Sequence, residues 1–302
     1  MPDGVLILAG ATASGKTELA IELAREFDAE IVGADSRQIY RDMPIGTAAP
    51  SAEQLAAVPH HLVGFLDPAQ RYSAARFAND AVEAICEIRR RGKRAIVVGG
   101  TGFYIRALIG CVELAGPYDE ALRARLAGEA QLHPPEFLHG WLARHDASRA
   151  AQLHASDTYR VLRALEIALA AADAAGHATP RRTLASEGIT WMLAFLDVPW
   201  SEIDRRIAQR TNRMLDAGLL DEAERVGGDA AAANAVGYPQ ALAHLRGWST
   251  LNELRISLDR ATRRYARRQR AWFRGEAATL WLQPESVAPK VREKLGWSAK
   301  RE

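Results

Sequence analysis

Gly10-Ala11-Thr12-Ala13-Ser14-Gly15-Lys16-Thr17 is the stretch whose reading decides the fold. It matches G-x-x-x-x-G-K-[ST] in full, the spacing of a phosphate-binding loop (P-loop). The context fits as well. Val5 to Ala9 is an unbroken apolar run, as expected of a strand buried on both faces, and Gly10 ends it. From Lys16 to Phe27 the apolar residues Leu19, Ile21, Leu23 and Ala24 follow a helical period. Glycines let the backbone curl so that several N–H groups point inward, and the helix N-terminus adds partial positive charge. All eight residues, Gly10 to Thr17, are therefore expected to hold a polyphosphate. Lys16 supplies a mobile charge, and the Thr17 hydroxyl is the expected hold for Mg²⁺.

Working outward, Glu30 to Ala34 predicts a second buried strand, ending at Asp35, and Ala95 to Val98 a third, closed by Gly99-Gly100. Between them lie an irregular Pro/Gly stretch, Met43 to Pro50, and a long helical pattern, Ser73 to Arg91, with Phe77, Ala81, Ile85 and Ile88 on one face. Strands alternating with helices predict an α/β P-loop core with a mostly parallel sheet flanked by helices. Past Cys111 the pattern changes, and Asp119 to Ala175 reads as helices without a strand. Met192 to Leu196 resumes as a strand, followed by long helices over Ser201 to Leu220 and Leu251 to Phe273 and a last strand at Thr279 to Leu282. The expected organisation is a core of residues 1–112 and 190–302, interrupted by an all-helical insertion domain, 113–189.

Bulk properties narrow the function. The 302 residues are 48% hydrophobic and 25% charged, with a formal net charge of only +2, so a nucleic-acid surface must come from clustered arginines. Cys86 and Cys111, without Cys-x-x-Cys spacing or nearby histidines, argue against a disulfide scaffold or zinc site. The N-terminus lacks the pattern of a signal peptide, and no apolar run approaches the roughly 20 residues of a membrane span. The expectation is a cytoplasmic protein without membrane association, and a monomer.

The loop leaves open which polyphosphate is bound. P-loop kinases and hydrolases commonly place a metal-holding Asp at a strand end. Ala95 to Val98 instead runs into Gly99-Gly100-Thr101-Gly102, leaving Asp197 as a candidate beside its reading as a loop or capping residue. Asp35, followed by Ser36, Arg37, Gln38 and Tyr40, falls where open α/β sheets bind ligands. Either a cap or a functional carboxylate fits that position, and a small-molecule or nucleotide kinase could use it to anchor its acceptor.

Several blocks in fixed order bear on the choice. The loop is followed by Asp35-Ser36-Arg37-Gln38-Ile39-Tyr40, Ile45-Gly46-Thr47-Ala48-Ala49-Pro50, His60-His61-Leu62, Tyr72-Ser73-Ala74 and Val98-Gly99-Gly100-Thr101-Gly102-Phe103-Tyr104. Then come Arg160, Arg163-Ala164-Leu165-Glu166, Arg210 with Met214-Leu215, Val236-Gly237-Tyr238, and Arg267-Arg268-Gln269 with Trp272. From about residue 5 to 275 the chain resembles the tRNA dimethylallyltransferase (tRNA isopentenyltransferase) family. It departs at Ala11, where Pro is common, at Pro239, and at Gly176-His177.

That resemblance implies transfer of a dimethylallyl group from dimethylallyl diphosphate to the exocyclic amine (N6) of the adenosine just 3′ of the anticodon, tRNA position 37. Asp35, Thr101 and Arg210 are implied as catalytic residues, with Asp35 the base, Arg210 and Thr12 on the diphosphate, and Thr101 on the target nucleotide. The anticodon stem-loop is implied to lie against Asp35, Ser36, Arg37, Gln38 and Thr101, and against Arg123, Tyr159, Arg160, Val161, Leu162 and Arg163 of the insertion. Independently, Arg260, Arg263, Arg264, Arg267, Arg268, Arg270 and Arg274 crowd one predicted helix and are candidates for RNA phosphates. On that helix Leu254, Leu258, Ala261, Tyr265 and Trp272 read as an apolar stripe. His60 and His61 read as structural.

Overall fold

β1 (Val5–Gly10), the strand entering the phosphate loop, is buried along its whole length. The computed structural model describes residues 4–112, 119–173 and 182–300. After β1 come α1 (Lys16–Glu26), β2 (Ala29–Gly33), α2 (Pro44–Thr47), α3 (Ala52–Ala57), β3 (His60–His61), α4 (Ala74–Arg90), β4 (Arg94–Gly99) and α5 (Gly102–Ile109). Residues 113–181 form a separate compact unit containing α6 (Glu120–Leu132), α7 (Pro135–His145), α8 (Ala147–Ala151) and α9 (Thr158–Asp173). The chain then returns to the first unit through β5 (Trp191–Leu196), α10 (Trp200–Asp216), α11 (Leu219–Val226), α12 (Tyr238–Leu245), α13 (Leu251–Arg274), β6 (Thr279–Leu282) and α14 (Pro284–Leu295).

The six strands form one parallel sheet in the order β3-β2-β4-β1-β5-β6. β1 is central, with Leu8 opposite Val98 on one side and Ala194 on the other. Unbroken Val, Ile and Leu runs suit strands covered on both faces, and this is why the periodicity reads so plainly. α4 buries Phe77, Ala81, Ile85 and Ile88 against the sheet, and its first turn is capped by Ser73, whose Oγ accepts from Arg76 N at 3.1 Å.

Some boundaries differ from expectation. Ser201 to Leu220 is two helices, because Gly218 takes the left-handed conformation (φ 95°) after α10 and opens α11. β3 is too short for a sequence signal. His61 Nε2 lies 2.8 Å from Glu30, which also pairs with Arg91 at 2.7 Å, and His60 Nδ1 is 2.7 Å from Val58 O. Residues 182–189, expected in the insertion, belong to the first unit. Leu184 is buried and its N–H donates to Leu108 O, while Ile189 is buried and bonds back to Leu184.

The helical unit has a core of its own, with Leu126, Leu138, Leu142, Ala150, Val161, Ala164 and Leu165 buried together. Val161, expected to touch RNA, has no exposed surface, so its side chain serves this core. Gly176-His177 lies outside the described residues. No helix among the described residues is long and apolar enough to cross a membrane.

The carboxyl ends of β1, β2 and β4 are drawn together. Ala34 N donates to Val98 O at 2.7 Å, and Thr101 N donates to Ala34 O at 3.3 Å. Gly99 makes this possible: a Cβ there would lie 2.1 Å from the Ala34 carbonyl oxygen, a backbone atom unable to swing aside. Gly99→Ala is expected to destabilise the fold by about 3 kcal/mol, the upper range of overpacking, read as a lowered midpoint in urea unfolding. An unchanged midpoint would disprove the close approach.

Candidate active site

The phosphate loop is built by two residues at positive φ, Ala13 (65°) and Gly15 (84°), which turn successive amides to one side. The N–H groups of Ala13, Gly15, Lys16 and Thr17 donate to no protein group among the described residues. Ser14 N donates to Ala11 O, and the Ser14 Oγ is buried without a partner. A concave ring of free donors around a stranded hydroxyl is what an anion would satisfy. Lys16 folds back over the loop, its Nζ 3.5 Å from Ala11 O. Burial lowers the Lys16 pKa, with the Asp35 carboxylate pulling the other way.

β2 delivers Asp35 beside this loop. One carboxylate oxygen accepts from Arg37 N at 2.9 Å, and Asp35 takes part in no ion pair among the described residues. β4 delivers Thr101. It occupies the N-cap position of α5, yet its hydroxyl caps nothing. Instead it accepts from Ser36 N at 3.0 Å and donates to the Ser36 Oγ at 3.3 Å, locking the β2 and β4 loops together. The Gln38 side-chain amide donates to the Thr47 and Ala48 carbonyls at 3.2 and 2.9 Å.

Two long helices complete the site. From α10, Arg210 donates to the Thr12 hydroxyl at 3.0 Å and to Thr47 O at 3.4 Å. Burial pulls its pKa down to about 10, with Asp35 opposing, so the guanidinium stays charged at neutral pH. From α13, the buried Gln269 accepts from Thr12 N at 2.8 Å and donates to Gly100 O at 3.0 Å. Thr12 therefore offers a bound anion its hydroxyl and not its amide. Tyr265, expected in an apolar stripe, faces the site and interacts with the Thr101 hydroxyl. Its phenol pKa is raised by burial and then by the Asp35 charge. Thr12, Lys16, Asp35, Ser36, Arg37, Gln38, Arg210 and Tyr265 line one cavity of about 220 Å³, whose apolar walls include Ile207, Met214, Val236 and Leu258. Thr101 meets it through Ser36 and Tyr265.

Other expectations are corrected. Asp197 is engaged by Arg270 at 2.5 Å, and that guanidinium also lies over the Trp200 and Trp281 rings, so both side chains are already tied into a contact within the protein. Arg263 pairs with Asp204 at 3.0 Å and Asp259 at 3.8 Å. Arg260, Arg264, Arg267, Arg268 and Arg274 remain exposed on α13. In the helical unit, Tyr159 is 67% exposed and Arg160 exposed, while Arg163 pairs with the buried Glu166 at 2.6 Å and Arg123 and Leu162 are partly buried. Gln269 was visible in the sequence only as one residue of a matched block. A neutral amide on an arginine-rich helix carries no signal of its own.

No cluster of three or more His, Cys, Asp or Glu able to hold a metal occurs among the described residues. The Thr17 hydroxyl has no protein partner there, so a divalent ion at this position would draw its other ligands from phosphate and water.

Comparison with known proteins places this geometry in context. The sequence matches the IPP transferase family over residues 38–276 and the isopentenyl transferase family over residues 3–66. It is 44% identical over 303 residues to a tRNA dimethylallyltransferase of Anaeromyxobacter sp. (strain K), covering 96% of this chain and 97% of that one. It is 40% identical over 284 residues to that of Geobacter sulfurreducens, covering 92% and 91%. The crystal structure of the tRNA isopentenylpyrophosphate transferase from Bacillus halodurans superposes with a TM-score of 0.70 at 32% identity, covering 97% of both chains.

Gln269→Ala leaves the Thr12 amide and the Gly100 carbonyl without their buried partner. The expected result is a stability loss of about 2 kcal/mol, with inorganic pyrophosphate bound about tenfold more weakly in titration calorimetry. Undiminished pyrophosphate affinity would show that the bridge does not shape the loop.

Proposed function

Because the chain belongs to the IPP transferase family, we propose that it transfers a dimethylallyl group from dimethylallyl diphosphate to N6 of the adenosine just 3′ of the anticodon in tRNA. The observation that carries the reading is an Asp35 carboxylate that forms no ion pair among the described residues, in one cavity with Lys16 and Arg210 beside the phosphate loop.

The diphosphate sits in the Gly10–Thr17 loop, held by the free amides of Ala13, Gly15, Lys16 and Thr17 and by the Thr12 hydroxyl. The C1–O bond of the allyl diphosphate breaks as pyrophosphate departs with the electron pair, and its growing charge is met by Lys16 and Arg210. The adenine amine forms the new N–C bond. Conjugated with the ring, the amine is a weak nucleophile until its proton is taken, and Asp35 accepts that proton. Thr101, oriented by Ser36 and Tyr265, holds the target nucleotide with Arg37 and Gln38 nearby. Mg²⁺, when bound at Thr17, neutralises part of the diphosphate charge.

An adenine in a loop must be splayed out of its stack to reach Asp35. Binding then rests on backbone contacts, for which the exposed arginines of α13 and, in the insertion, Arg123, Tyr159, Arg160 and Arg163 are the candidates. Val161 and Leu162 support the latter from within their helix.

Labelled dimethylallyl diphosphate, Mg²⁺ and unmodified tRNA provide the test. Wild type is expected to label the tRNA, and Asp35→Ala to lose about 10²- to 10⁴-fold in kcat while pyrophosphate affinity stays within about threefold. ATP consumption with no label entering RNA would instead make the protein a kinase.

A further inference from the structure

The blocks Ile45–Pro50 and Val236–Tyr238 place no side chain in the reaction above. In the fold they meet over one carboxylate, Glu222 of α11, which has no solvent exposure. Its Oε1 accepts from Gly46 N at 2.7 Å and from the Tyr238 hydroxyl at 2.8 Å, and its Oε2 accepts from Ile45 N at 2.9 Å. Glu222 belongs to none of the ion pairs among the described residues. A buried carboxylate without a cation is costly, and satisfying it takes several donors. Two backbone amides and a phenol do so here. Burial and the carboxylate both raise the Tyr238 pKa, so the phenol stays a donor. The fit is tight: a Cβ on Gly46 would lie 2.6 Å from the Tyr238 ring.

The held amides open α2, and the next residue reaches the active site. Thr47 ties its own hydroxyl back to Met43 O at 2.7 Å, and Ala48 follows in the left-handed conformation (φ 46°). This turn presents the Thr47 carbonyl to Arg210 Nη2 at 3.4 Å and to Gln38 Nε2 at 3.2 Å. The other terminal nitrogen of Arg210 reaches the Thr12 hydroxyl. The guanidinium is planar, so fixing both terminal nitrogens fixes its orientation. One anchor is the phosphate loop itself. The other is a carbonyl one residue from the Glu222 clamp.

We propose that Glu222 is a positioning residue, which by clamping the Ile45 and Gly46 amides fixes the Thr47 carbonyl that aims the Arg210 guanidinium at a diphosphate in the Gly10–Thr17 loop. This rests on the assignment of Arg210 to the diphosphate made above. Glu222 touches neither reactant; it acts through α2 and through Arg210. A glutamine in its place keeps the size but has one acceptor oxygen for two amides, so one of them loses its bond.

A double-mutant cycle tests this by calorimetry of inorganic pyrophosphate with Mg²⁺, a readout independent of prenyl transfer. Glu222→Gln is expected to weaken pyrophosphate binding about tenfold in the wild-type background and less than about twofold when Arg210 is already Ala. Equal losses in both backgrounds would reduce Glu222 to a general structural role, and no loss in wild type would remove the role altogether. If Glu222→Gln does not fold, Tyr238→Phe, which deletes one donor to the carboxylate, carries the same cycle with an expected loss of about threefold. Unchanged affinity in Arg210→Ala alone would overturn the Arg210 assignment and this proposal with it. Pyrophosphate binding with intact coupling, but no label entering tRNA, would sink the reaction and leave the clamp standing.

Discussion

The bridge made by Gln269 is the contact on which the site depends. Its amide joins the first residue of the loop curl, Thr12, to Gly100 at the end of β4, so the loops after two neighbouring strands cannot drift apart. Gly100 has no room for a side chain, since a Cβ would lie 2.1 Å from the Gln269 nitrogen. Gly102 is under the same constraint from Trp272 of the same helix. α13 therefore does two jobs. One face closes the carboxyl end of the sheet, and the other carries the exposed arginines.

Charge in the cavity is arranged around Asp35. Asp35 favours the charged form of both Lys16 and Arg210, while burial works against each of them and the Arg210 charge works against Lys16. Arg210 is a guanidinium drawn from water and held by a hydroxyl and a carbonyl instead of a carboxylate. Such an arrangement leaves charge unneutralised and ready for an anionic ligand. By contrast, Arg270 pairs with Asp197 after β5, and Arg263 pairs with Asp204 of α10 and with Asp259 one turn back on its own helix.

Helices with similar composition thus sort into different roles by the partner each side chain meets. Spacing along α13 predicted a basic face, and it exists, but an arginine one turn away lies half-buried over two tryptophan rings. Tyr265 shows the same limit. Its position fits an apolar stripe, and its hydroxyl decides that it faces the site.

Local chemistry was legible from the sequence alone. The loop Gly10–Thr17 was, because a tight curl followed by a helix N-terminus demands those residue types in that order. So were the buried strands, whose short apolar runs between turn residues suit a sheet covered on both faces, and the placing of Asp35, because a strand end next to such a loop is where an open parallel sheet binds its ligand. What depended on distant segments meeting was decided by the tertiary structure: the Gln269 bridge to Thr12, Thr101 spent on Ser36 and not on a cap, the Asp197–Arg270 pair, the return of residues 182–189 to the core, and the Glu222 clamp under Ile45 and Gly46. Hydrogen bonds of buried polar groups act across space, and nothing in the spacing of Gln269 or Glu222 along the chain says which orphaned amide each will meet.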